Sequence, residues 1–353
     1  MIPAPAGRFI LAAALASAAG AAGAQICSPY PYCLVAGPQE TSPNNPGVNT
    51  AQQRGAVIAP LLSISNIVGA SLRGVPGGGA PGGLSLQGSP ETGLAGAVQG
   101  SRWNAWAAYA NTGVSYSWTP LDSGGHVHSV MLGADYRVAE RWIAGLSLAA
   151  DDTSIATRYN NGNITGNGYN LAPYVGWQIS ERWSLDAAAG IGRASTSHVD
   201  NVALTTGSAD SSRRFGAVNL NYSRWLGRWE LAAKGTLIDA REKKEAFTLS
   251  NGTAIAESTT RLGQLRLGGQ VGYLAANGIN PYIALAYVSD YRRDAQAPIA
   301  GQPLPANDRA GWMVAVGANL FSKGPLSGGL RWQTERRSEQ KQDLLLVNLA
   351  IRF

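Results

Sequence analysis

Three histidines and two cysteines supply most of the reactive side-chain chemistry in this 353-residue chain, and their spacing limits what they can do. His126 and His128 form a His-x-His pair on one strand face that offers two metal ligands, but no third ligand follows at suitable spacing, so they read as exposed rim residues. His198 and Asp200 sit two apart, as in an Asp–His unit that orients an imidazole for base catalysis. Neither a Gly-x-Ser-x-Gly nor a Gly-Asp-Ser-Leu nucleophile motif accompanies them, so no enzyme, metal or cofactor is expected. Cys27 and Cys33 enclose Ser-Pro-Tyr-Pro-Tyr, and in an oxidising compartment they are expected to close a small disulfide loop. Four basic pairs, Arg213-Arg214, Lys243-Lys244, Arg292-Arg293 and Arg336-Arg337, with Lys341 close to the last, fall at the ends of predicted strands. Paired guanidinium and ammonium groups suit clustered phosphates such as those of lipopolysaccharide.

The compartment follows from the N-terminus. Arg8, the apolar run Phe9 to Ala22 and the Ala22-Gly23-Ala24 site predict a secretory signal peptide over 1–24. Ile26 before Cys27 is wrong for a lipoprotein signal. Removing Arg8 lowers the formal charge from +6 to +5, an excess that fits anionic headgroups and not nucleic acid, which an exported chain seldom meets. No other stretch approaches the roughly 18–20 apolar residues a membrane helix needs, so a membrane location requires strands. The 45% apolar and 14% charged composition is oily for a soluble protein, while a mean hydropathy of −0.08 is too polar for a helical membrane protein. Strands with one face to lipid and one to water give that average.

Period-two alternation is clearest at the C-terminus, where Leu345, Val347, Leu349, Ile351 and Phe353 share one face. About twelve strands are predicted, near 103–118, 126–138, 142–154, 167–179, 183–195, 213–225, 229–241, 260–274, 281–291, 309–321, 327–335 and 341–353. Their connections fall into two length classes. Short ones lie at 139–141, 180–182, 226–228, 275–280 and 322–326, and long polar ones at 155–166, 196–212, 242–259 and 292–308. The expected fold is therefore all-β, a 12-stranded antiparallel transmembrane barrel with tight periplasmic turns, long outer loops and both barrel ends on the periplasmic side. A soluble sandwich would also alternate, but it does not account for the export signal, the two loop classes and the aromatic terminus together.

Strand parity assigns the faces. Val130, Leu132, Ala134 and Tyr136, with Leu171, Val175 and Trp177, Leu265, Leu267, Val271 and Tyr273, and Val314, Val316, Ala318 and Leu320, point to lipid. Asp135, Asp186, Glu230, Lys234, Gln264, Arg266, Gln270, Arg331 and Gln333 line the lumen, with Ser184, Asn219, Asn221 and Asn319. Five of the ten tryptophans, Trp142, Trp177, Trp183, Trp225 and Trp229, flank short turns as an aromatic girdle would; Trp225 alone has lumen parity.

Ahead of the barrel domain, 101–353, lie a Pro- and Asn-rich head over 25–48 and a helix with linker over 49–100. Thr50 and Gln53 suggest a capping box, and Val57, Leu61, Ile64, Val68 and Leu72 recur at helical spacing, with Pro60 expected to kink the helix. A Gly/Pro linker at 74–83 separates it from a second short helix predicted over 90–99.

Gly133-Ala134-Asp135 and Gly145 within Val130 to Ala149, the strand Asn280-Pro281-Tyr282 to Tyr287, and the ending Asn348-Leu-Ala-Ile-Arg-Phe353 together resemble the autotransporter β-domain family over about residues 101–353. The resemblance implies a twelve-stranded barrel in the outer membrane of a Gram-negative bacterium, with one of the two helices plugging the lumen. Helix residues Gln52, Arg54, Ser63, Ser65, Asn66 and Arg73 would then meet Asp186, Glu230, Lys234 and Arg266. It also implies a monomer embedded in outer-membrane lipid and lipopolysaccharide. Val347, Leu349, Ile351 and Phe353 would be the assembly signal read by periplasmic chaperones and the barrel assembly machinery. The departure is the short stretch before the barrel, about 80 residues after the predicted cleavage site. The expected function is translocation or anchoring of a vestigial N-terminal passenger; the rivals are a small diffusion channel and an adhesive barrel acting through its long loops.

Overall fold

The computed structural model describes residues 46–72, 102–275, 278–294, 302–306, 309–321 and 326–353. The head up to residue 45 with Cys27 and Cys33, the signal segment, the 74–83 linker, the 90–99 helix and Arg73 lie outside the described residues.

One helix, α1 (Pro46–Leu72), precedes fourteen strands: β1 (Trp103–Tyr116), β2 (Ser123–Ala139), β3 (Trp142–Thr157), β4 (Gly162–Gln178), β5 (Trp183–Asp200), β6 (Thr205–Leu226), β7 (Trp229–Lys244), β8 (Phe247–Thr248), β9 (Ala254–Ile255), β10 (Ser258–Tyr273), β11 (Ile279–Arg293), β12 (Ala310–Phe321), β13 (Leu326–Arg336) and β14 (Gln340–Arg352). Twelve of them close an antiparallel barrel in chain order, β7 pairing β10 and β14 pairing β1; β8 and β9 form a separate small hairpin. Closure runs from Asn104↔Arg352 to Tyr116↔Gln340, and the Phe353 amide donates to the Trp103 carbonyl at 3.1 Å. With no free edge, each barrel strand pairs on both sides, the condition for strands to lie in hydrocarbon.

The exposed large hydrophobics form the outer band, among them Val130, Leu132, Leu171, Leu265, Leu267, Val316, Leu349 and Phe353. Four cross-strand ring pairs ring the short-turn end: Trp103–Tyr136, Trp142–Trp177, Trp183–Tyr222 and Trp229–Tyr273, with centroids 4.9–5.3 Å apart. Rings with one polar edge settle at a headgroup boundary, so this end is the inner rim. Trp225 is not part of that girdle and lines an internal cavity.

Two predicted loops are strand instead. The 155–166 connection shrinks to the few residues between Thr157 and Gly162, and 196–212 to those between Asp200 and Thr205. The Ser-, Thr- and Gly-rich segments there have no apolar outer face, because above the lipid that face meets water. Hydropathy alternation fades while the ladder pairing of β4, β5 and β6 continues. The helix also starts earlier than the capping box suggested. Pro46 takes its first position, where a missing N–H costs nothing, and Thr50 lies buried inside it. The helix continues through Pro60.

Candidate functional site

The lumen is the site, and α1 occupies it lengthwise. At the outer end, Lys244 Nζ donates to Asn49 Oδ1 at 3.3 Å and Gln53 Nε2 to the Thr260 carbonyl at 3.3 Å. At the inner end, a Cβ added to Gly176 would strike Val68 and Leu72. The N-terminus of the helix therefore faces outward and its C-terminus faces the periplasmic rim. Twenty-seven residues at 1.5 Å span about 40 Å, enough to run the length of the pore.

Beyond Gly55 the helix is mostly apolar. Val57, Ile58, Leu61, Ile64, Ile67 and Val68 are buried with Ala108, Ala110, Met131, Ile143, Ala149, Ala172 and Ala188 of the wall. Small lumen-side residues on β1–β5 make room for it. The helix in turn comes close at Gly55, where a Cβ would lie 2.6 Å from Val127 Cγ2. Burying each large aliphatic chain contributes about 1.5–3 kcal/mol relative to water.

Polar anchors hold both halves of the helix. In the outer half, Arg54 ion-pairs with Asp290 and approaches Glu335 at 3.6 Å. Asp290 also accepts from Arg337 Nη1 at 2.8 Å and Nη2 at 3.0 Å, and from Gln264 Nε2 at 2.9 Å. Glu335 accepts from Arg337 Nε at 2.9 Å and Arg266 Nη2 at 3.2 Å. Lower down, Asp186 accepts from Asn219 at 2.7 Å, Asn221 at 2.8 Å and the Ser65 hydroxyl at 3.1 Å. Lys234 Nζ donates to the same Ser65 Oγ at 2.6 Å. Asp135 accepts from Asn104 and from Tyr174 Oη, which in turn accepts from Trp106 Nε1 at 2.8 Å. A Cβ at Gly133 or Gly145 would strike Trp106 or Tyr174, so those two glycines seat this network.

The opposite wall leaves a space beside the helix. A cavity of about 180 Å³ beside α1 is lined by Asn66, Trp225, Glu230, Lys234, Arg266, Gln270, Tyr282 and Arg331. Glu230 accepts from Asn280 at 2.6 Å, and buried Gln333 accepts from Arg331 Nε at 3.0 Å.

Of the helix residues expected to meet Asp186, Glu230, Lys234 and Arg266, Ser65 does meet Asp186 and Lys234, whereas Arg54, about three turns further out, meets Asp290 and Glu335. Neither acid was singled out. Their inward parity, two residues beyond Val288 and Gln333, was the available signal.

Strand alternation also splits the basic pairs. Arg213 is buried between Asp151 (2.8 Å) and Glu242 (3.0 Å), Lys244 is buried beside α1, and Arg337 joins Asp290, while Arg293 lies within 3.9 Å of Asp290. Their neighbours Arg214, Lys243, Arg292 and Arg336 face outward. Each pair is divided between the lumen and the outer surface, since consecutive strand residues point to opposite faces.

His198 and Asp200 do not form a catalytic unit. Asp200 Oδ1 accepts from the Val202 and Ala203 amides at 2.9 and 2.7 Å, capping a turn. His198 stacks on Phe247 of the β8–β9 hairpin with Nε2 3.4 Å from Lys244 Nζ. Both groups lie beyond the lipid, near the outer tips of β5 and β7. Burial first, then Lys244, lowers the imidazole to about 3; burial lowers Lys244 to about 8, against a smaller rise from Glu242. His126 and His128 stack at 6.1 Å on the outer surface and bond Asn111 and Tyr109, and among the described residues no cluster suits a metal.

Oiled outside, polar inside and threaded by its own N-terminal helix, the molecule is an outer-membrane barrel of the self-plugged, translocator type. The family model described as the autotransporter β-domain matches residues 104–333. This chain belongs to that family, and its place is the outer membrane of a Gram-negative bacterium. Among solved structures, the translocator domain of the autotransporter NalP from Neisseria meningitidis superposes with TM-score 0.62 at 13% identity, covering 71% of this chain and 89% of that one. The β-domain of the Bordetella autotransporter Brka gives 0.58 at 15%, covering 71% and 100%. The transport unit of AIDA-I from Escherichia coli gives 0.52 at 13%, covering 82% and 97%. At such identities the likeness speaks for the fold. Comparison with curated protein sequences finds no match.

Proposed function

We propose that this barrel delivers the short N-terminal head to the cell surface and then anchors it there, α1 being the last exported stretch left in the pore. The observation that carries this reading is the polarity of α1, Asn49 and Arg54 at the outer mouth and Leu72 at the inner rim. A chain entering from the periplasm and leaving N-terminus outward ends in that orientation. The work is physical: a closed sheet spans the lipid, a polar lumen admits hydrated chain, and an apolar helix against an alanine-lined wall stops it. Cys27 and Cys33 would close a loop in the displayed head. Chaperones and the assembly machinery would read the Val347, Leu349, Ile351, Phe353 face, and the barrel would act as a monomer. Protease added to intact cells should cut a tag placed after Gln25; full protection, with cutting only after lysis, would overturn the proposal.

A diffusion-channel reading has one observation in its favour, the cavity of about 180 Å³ beside α1. If α1 is the plug, planar-bilayer conductance should rise severalfold on deleting 46–72. Equal conductance with and without the helix would favour the channel.

A further inference from the structure

Outward-facing arginines gather on one side of the barrel, and among them Arg214 comes from a split pair. Arg214 on β6 is in register with Arg241 on β7, and Arg241 with Arg261 on β10. All three are exposed. Each lies twelve residues from the short-turn end of its strand, at Leu226, Trp229 and Tyr273 respectively. At about 3.3 Å per residue and a tilt near 40°, twelve residues rise roughly 30 Å, just above an apolar band about 25 Å tall. Four residues lower, Val218, Leu237 and Leu265 form an exposed row in the same register.

Three like charges placed side by side across neighbouring strands repel one another. Among the described residues, no carboxylate ion-pairs with any of them. The nearby acids are engaged with other groups: Asp239 pairs with Arg292 at 3.1 Å, Glu257 with Lys243 at 2.7 Å, and Asp294 Oδ2 accepts from the Arg261 backbone amide at 2.7 Å. The arrangement is not a general property of the rim. At the corresponding height of β2, β3 and β4 the register row holds His126, Ser154 and Thr165, with no lysine or arginine.

We infer that Arg214, Arg241 and Arg261 form a docking site for the phosphates of lipid A, whose acyl chains lie on Val218, Leu237 and Leu265 below. Guanidinium groups give planar, two-pronged hydrogen bonding to phosphate and stay charged at any physiological pH. At this height on the lipid-facing side, the phase that meets them is the outer-leaflet headgroup layer. A phosphorylated glycolipid supplies both the counter-charge and the apolar body that the surface is shaped for.

The test uses the full chain refolded in detergent, with bisphosphorylated lipid A as probe. The triple variant R214Q/R241Q/R261Q should bind lipid A at least tenfold more weakly than the parent. A charge-matched control at the periplasmic turns, R141Q/R182Q/R228Q, should bind within twofold of it. Dephosphorylated lipid A should bind the parent as weakly as lipid A binds the triple variant, an arm that needs no variant to fold. Excess inorganic phosphate should not displace the lipid. Retained binding by the triple variant, equal binding of the dephosphorylated lipid, loss in the control, or displacement by free phosphate would each overturn the assignment.

Discussion

Asp290 shows how much one inward residue can do in a lumen. It is fully buried and takes charge-assisted hydrogen bonds from Arg54 of the helix and Arg337 of the wall. Removing one partner from a buried charged set costs about 3–5 kcal/mol, and here Glu335 remains to share the cations. Asp290→Ala should therefore loosen α1 by an amount near the low end of that range. The check is faster proteolysis within 46–72 and more frequent channel openings in planar bilayers, with the barrel itself still folded. His198 makes a pH prediction at the same scale. Its folded pKa, about 3, lies below the unfolded value near 6.5, so the unfolded form takes up the proton first. The stability of the outer cap is then whole above pH 6.5 and falls as pH drops from there towards 3. Proteolysis within 246–257 should accelerate between pH 7.5 and pH 5, and His198→Phe should flatten that dependence while keeping the stack on Phe247.

At the scale of elements, α1 and the β1–β5 wall fit because the wall is small where the helix is large. Gly55 is a close approach, facing Val127, and any larger side chain must move one surface or the other. Gly55→Leu should overpack this joint by about 1–3 kcal/mol, read as a lower temperature of the gel-shift transition from folded to unfolded band. Val127→Ala serves as the relieving partner: combined with Gly55→Ala it should restore the transition. The long outer ends of β5, β6 and β7 form the second working element. They carry the cap over the helix N-terminus inside, through Lys244 and His198, and the arginine row outside.

The whole molecule is a closed ring whose seam is β1 against β14, and Phe353 ends that seam. Its amide bonds to Trp103 and its ring is exposed at the inner rim. Deleting Phe353 should lower the amount of heat-modifiable barrel in the outer membrane severalfold, while barrel refolded in detergent loses little stability, since one exposed ring is removed and the ladder up to Arg352 persists. Loss of detergent stability as large as the loss in cells would mean that the residue serves the fold and not its delivery.

Much of this was readable from residue order alone, because a barrel strand meets two solvents and writes that alternation into every second position. Strand number, inner turns and the lipid-facing sets rest on this local rule, as does the side of the wall on which Asp186 or Gln264 stands. Strand ends above the lipid were not readable: outside the bilayer both faces meet water, so 155–166 and 196–212 look like loops although their ladders continue. Nor could order along the chain pair Arg54 with Asp290, or align Arg214, Arg241 and Arg261. Those neighbours are set by how far each strand is staggered when the sheet closes and by the depth at which the helix stops, and both are properties of the assembled ring.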